Sequence, residues 1–122
     1  MTRIFSLFFL AVFVAGAVAA DFDEVLSNVA SYDYGDSREN LTTLSDMLRD
    51  ASDDALQLAE YEKAMLEVVA DKKTTFAAKQ FLCKELSIMG TEQSVPTLAK
   101  LLRKEETADI ARYALERIPG EQ

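Results

Sequence analysis

From residue 22 onward the apolar residues return at intervals of three and four, and that period constrains the fold more than any other feature. Phe22, Val25, Leu26 and Val29 stand at i, i+3, i+4 and i+7 and therefore share one face of an α-helix. Tyr32-Asp33-Tyr34-Gly35 then breaks the pattern, with Gly35 suited to the positive φ of a tight turn. A second helix is expected from an Asp36 or Ser37 cap, with Glu39 three residues after Asp36 at capping-box spacing and Leu41, Leu44, Met47 and Leu48 inward. Asp53 and Asp54 suit the start of a third, whose apolar positions are Leu56, Ala59, Ala64, Leu66, Val68 and Val69. Thr74 or Thr75 caps a fourth, in which Ala77, Ala78, Phe81, Leu82, Leu86 and Met89 form a broad apolar face closed by Gly90. A face that wide belongs at the centre of the core.

Pro96 fits the first turn of a fifth helix, where its missing N–H costs no hydrogen bond, and Val95, Leu98, Leu101 and Leu102 form its face. A sixth runs from about Thr107 to Pro119-Gly120, with Ile110, Ala111, Ala114, Leu115 and Ile118 inward. No stretch sustains a period of two. The pattern predicts an all-α chain of six helices in three antiparallel hairpins.

Residues 1–20 are of another kind. Arg3 is followed by an apolar run from Ile4 to Ala20 that ends in Ala17-Val18-Ala19-Ala20, the layout of a cleavable signal peptide. Cleavage falls before Ala20 or before Asp21, and the change of charge pattern favours Asp21. A retained anchor would need roughly 20 apolar residues, and a lipoprotein signal would need a cysteine at the cleavage point, whereas Cys83 lies far downstream. The expected product is exported, periplasmic or secreted, without a membrane span. It divides into an acidic cap at 21–71 and a repeat region at 72–122.

Charge supports that division. The chain carries a net −8, yet residues 21–71 hold 14 acidic and 3 basic groups, whereas 72–122 hold 7 acidic and 9 basic. Neither half has the clustered Lys and Arg that a nucleic-acid surface requires. One cysteine cannot form an intramolecular disulfide, so stability has to come from apolar packing. Phe81-Leu82-Cys83-Lys84-Glu85-Leu86 places Cys83 as a small buried residue on a helix. With no histidine, the commonest general base and metal ligand are both missing. Asp53-Asp54 and Glu105-Glu106 could pair carboxylates, but sequence neighbours diverge on a helix and acidic residues at helix ends serve as caps. No catalytic residue, metal or cofactor is expected.

Leu86 and Met89 before Gly90 correspond to Leu115 and Ile118 before Pro119, a weak repeat at an offset of 29 residues. The junction Leu86-Ser87-Ile88-Met89-Gly90 through Val95-Pro96-Thr97-Leu98 resembles that of HEAT-like repeats of the phycobilisome-lyase type. The runs Tyr32 to Arg38 and Ala111 to Pro119 are similar to secreted HEAT-repeat proteins of planctomycete-like bacteria. The resemblance covers nearly all of residues 22–120 and implies a short α-solenoid with a binding role. Members of that group continue through further repeats, so a minimal member, a shortened one and the first part of a longer array all remain open.

Several residues carry that expectation. Tyr32, Tyr34 and Tyr113 are amphipathic enough to anchor an interface. Arg112, spaced to pair with Asp109 and with Glu116, is read as a side chain that bridges neighbouring repeats, as acidic and basic groups near the turns of such arrays do. The leading expectation is a noncatalytic interaction or scaffold module for an unknown protein partner. Alternatives are self-association, driven by the acidic front and the slightly basic back, and a bilin lyase-like enzyme subunit, which would need a deep polar pocket.

Overall fold

The computed structural model describes residues 21–119, and the signal peptide expected at 1–20, with its expected cleavage point, lies outside them. The described chain is all-helical: α1 (residues 21–30), α2 (Glu39–Asp50), α3 (Ala55–Ala70), α4 (Phe76–Met89), a 3-10 turn at Glu92–Ser94, α5 (Val95–Leu102) and α6 (Ala108–Arg117). No described helix is long and apolar enough to cross a membrane.

Consecutive helices pair across short turns, α3 with α4 and α5 with α6. Odd-numbered helices also touch odd-numbered ones, and even touch even: α3 packs on α5, while α4 lies between α2 and α6. Phe22 of α1 stacks on Tyr61 of α3 with ring centroids 3.7 Å apart and planes 7° from parallel. One continuous core results, running from Phe22 to Ile118 across the change of charge at residue 71. Its centre is α4, which buries Ala77, Ala78, Leu82, Cys83 and Leu86, as its broad apolar face predicts. Each fully buried leucine there contributes roughly 1.5–3 kcal/mol.

Local chemistry sets the helix ends. Asp54 Oδ1 accepts from the Gln57 amide at 3.1 Å, and Thr75 Oγ1 from the Ala78 amide at 3.1 Å, which begins α3 and α4 with the expected caps. Gly35 takes φ 96°, where a side chain would be strained. The α2 cap differs from expectation. Asp36 Oδ2 is occupied by the Asp33 amide at 3.0 Å in a reciprocal turn, so no Asp36–Glu39 box forms. Arg38 holds the cap position without a side-chain bond, and Ser37 Oγ takes the Glu39 amide.

The stripe of α3 is also phased differently. Leu56 is 82% exposed, whereas Glu62, Met65, Leu66 and Val69 are buried, with Leu58 and Tyr61 packed against the core. The buried face includes a carboxylate, Glu62, among its apolar residues. Val95 and Leu102, expected inward on α5, are about two-fifths exposed, leaving Leu98 and Leu101 as its buried contacts.

Two hydrogen bonds of one kind recur in the turns before α4 and α6. Thr74 Oγ1 donates to the Val68 carbonyl at 2.6 Å, and Thr107 Oγ1 donates to the Leu101 carbonyl at 2.7 Å. The two bonds are equivalent and lie 33 residues apart in the turns before α4 and α6. At the other ends, Gly90 donates to the Leu86 carbonyl and Ile118 to the Ala114 carbonyl, 28 residues apart. α4 has 14 residues and α6 has 10, about one extra helical turn, which accounts for most of the change in spacing from one end to the other.

Candidate functional site

One face of α4 carries buried Ala77 with Gln80, Phe81 and Lys84 at i, i+3, i+4 and i+7, and it forms the floor of a groove of about 500 Å³. The α1–α2 turn and the start of α2 make one wall with Tyr32, Tyr34, Arg38 and Leu41; α6 makes the other with Asp109, Ile110 and Tyr113. An occupant would touch three even-numbered helices at once. This volume lies within the range of ordinary ligand clefts.

Tyr32 fixes the first wall. It is buried, its carbonyl accepts from Thr75 Oγ1, and its phenol oxygen accepts from Arg38 Nη1 at 3.2 Å. The neighbouring Thr75 amide donates to the Ala30 carbonyl at 3.1 Å, so the same residue that caps α4 also holds the end of α1. Tyr34 remains 62% exposed while its hydroxyl donates to Gln80 Oε1 across the groove. On the opposite wall Tyr113 is 41% exposed. The Arg117 guanidinium lies 3.7 Å from its ring centroid and donates to its carbonyl at 3.0 Å, which orients the ring.

Three of the five residues singled out in the sequence therefore meet at one groove, although Tyr113 is far from Tyr32 and Tyr34 along the chain. The other two stand apart from it. Arg112 pairs within its own helix, with Asp109 Oδ1 at 2.7 Å, and makes no ion pair with another hairpin among the described residues. That i, i+3 pair is one of the two that the spacing of Arg112 offers. Glu116 lies 3.8 Å from Arg117 and does not meet Arg112. Arg38, Gln80, Phe81 and Lys84 were missed, although the spacing of the last three on one helix face was visible.

The groove's charged groups are Arg38, Lys84 and Asp109, and Arg112 already neutralises Asp109. Cys83 lies beneath the floor, 1% exposed, and burial pushes its thiol from the ordinary 9.0 up to about 12, against a smaller downward pull from Lys79. It is packed as a small apolar residue, as its sequence setting suggests.

A second polar constellation joins hairpins. Glu62, 1% exposed, accepts from the Thr91 amide at 2.7 Å, from Thr91 Oγ1 at 3.0 Å and from Ser94 Oγ. Its carboxylate faces the positive start of the 3-10 turn and α5, and this satisfies a charge that would otherwise be costly to bury. Among the described residues no group of three or more His, Cys, Asp or Glu is placed to hold a metal ion. No family model matches the chain, and neither a curated protein nor a solved structure is significantly similar to it.

Proposed function

We propose that the chain is a noncatalytic interaction or scaffold module: a short α-solenoid of HEAT-like hairpins, exported by its apolar leader, that presents one groove to a protein partner. The observation that carries this reading is the convergence of Tyr32, Tyr34 and Tyr113 from two distant segments on the face of α4. Tyr34, in the α1–α2 turn, and Tyr113, on α6, are exposed enough to supply both apolar area and a hydroxyl, while buried Tyr32 fixes the wall beside them. The odd-to-odd and even-to-even helix contacts and the paired Thr74 and Thr107 bonds support the solenoid reading, since repeats stack in this way. Export predicts a mature N-terminus at Asp21, which terminal sequencing of protein from the secreting cell reads directly.

The test is affinity capture from the periplasmic or secreted fraction with the protein and with a Tyr34→Ala/Tyr113→Ala variant. Tyr34 is 62% and Tyr113 41% exposed, and circular dichroism checks that the variant keeps its fold. A partner retained by the protein and lost by the variant is the expected result. An identical set of captured proteins on both would remove the groove from the reading.

Self-association is a second reading, favoured by Leu56 and Ile88, which are 82% and 75% exposed, and by the opposite charge balance of the two halves. It predicts a dimer by light scattering at low salt that dissociates at high salt.

A further inference from the structure

We propose that the groove takes an acidic peptide segment, with the Arg38 guanidinium and the Lys84 ammonium as its carboxylate-binding groups. This rests on the reading of the groove as an interaction site and adds the chemistry of what it binds.

Three observations point to it. Arg38 is one of only 3 basic residues among the 17 charged groups of residues 21–71, and it stands on the groove wall. Among the described residues neither Arg38 nor Lys84 has a carboxylate within 4.0 Å, although Asp36, Glu39 and Glu85 stand close to them in the sequence. The carboxylate that does line the groove, Asp109, is taken by Arg112. The groove thus holds two uncompensated cations in a chain whose net charge is −8.

Arg38 is also held in place. One guanidinium N–H goes to the Tyr32 hydroxyl, and Tyr32 is itself tied to Thr75, which leaves the remaining donors of the planar fork for an incoming carboxylate. Tyr34 and Tyr113 flank the cations and offer apolar area to the rest of the segment. A long polyanion such as a nucleic acid, or an anionic membrane, would meet the acidic surface beyond the groove. A peptide with one or two carboxylates would not, because charges more than about 8 Å away are screened at physiological salt.

The experiment is selection of a random dodecapeptide display library on the purified protein and, in parallel, on Lys84→Glu and on Arg38→Gln/Lys84→Gln. Circular dichroism confirms the fold of each. Lys84→Glu keeps the test valid if loss of the Arg38 bond loosens the turn. The expected result is enrichment of peptides with Asp or Glu whose affinity falls about tenfold or more on either variant. Replacing their acidic residues by Asn or Gln should reproduce that loss. Peptides that depend on Tyr34 and Tyr113 but carry no acidic preference would overturn the acidic-peptide proposal and leave the interaction reading standing. Selection of no groove-dependent peptide would overturn both.

Discussion

The Glu62 carboxylate on α3 accepts the Thr91 backbone amide at 2.7 Å, a bond between residues 29 apart that ties one hairpin to the start of the next. Replacing it by Glu62→Gln keeps the side chain's shape but removes the charge and one acceptor oxygen, so three charge-assisted bonds become bonds to a neutral amide. The expected loss of stability is about 1–3 kcal/mol. For a domain of this size that lowers Tm by roughly 4–8 °C per kcal/mol. Denaturant unfolding checks it, and a variant as stable as the parent would show that the carboxylate does not hold the junction.

The Thr74 and Thr107 hydroxyls should act alike. Thr→Val at either position removes the donor to a carbonyl six residues earlier while keeping the volume, at about 1–2 kcal/mol each. Thr→Ser keeps the donor and should retain most of that stability. If Val and Ser variants unfold together, the hydroxyl is not the cause.

Gly35 and Gly90 are needed for different reasons, and one substitution separates them. Gly35 has φ 96° with open space around it, so Gly35→Asn, a residue that tolerates positive φ, is expected to cost well under about 1 kcal/mol. At Gly90 a Cβ would sit 2.5 Å from the Leu86 carbonyl oxygen and 3.1 Å from Ile118 Cδ1. Either Ala or Asn there should cost about 1–3 kcal/mol through forced backbone movement. Equal tolerance at both sites in thermal melts would contradict this distinction.

With its thiol pushed up to about 12, Cys83 should resist thiol reagents at pH 8 in the folded protein and react quickly once denaturant unfolds it. Because the folded value lies above the ordinary 9.0, the neutral thiol's contribution is intact below pH 9. It declines as pH rises from about 9 towards 12, where the unfolded chain gains by releasing the proton. Cys83→Ala should flatten that part of the pH–stability curve. Rapid labelling of the native protein at pH 8 would show that the site opens.

Much of this was legible in the residues. The apolar spacing of Phe22 to Val29, the broad face of α4 and the caps at Asp54 and Thr75 are local properties, because a helix needs only its neighbours within one turn. The errors also share a cause. Asp36 lost its cap role to an Asp33 amide, and Leu56 lies outside the core; each outcome depended on which groups competed for a position. Glu62 was invisible as a core residue because its burial depends on Thr91 and Ser94, which lie beyond the reach of any helical period.

The sequence by itself therefore determined an all-helical chain, since periodicity and capping act over three or four residues. Only the tertiary structure decided that Tyr32 and Tyr34 face Tyr113 across α4, that Arg38 and Lys84 share the groove unpaired, and that like hydrogen bonds recur 33 residues apart at one end of α4 and α6 and 28 apart at the other. Those relations follow from how helices of unequal length pack against one another, and no local pattern in the chain encodes the distance between their faces.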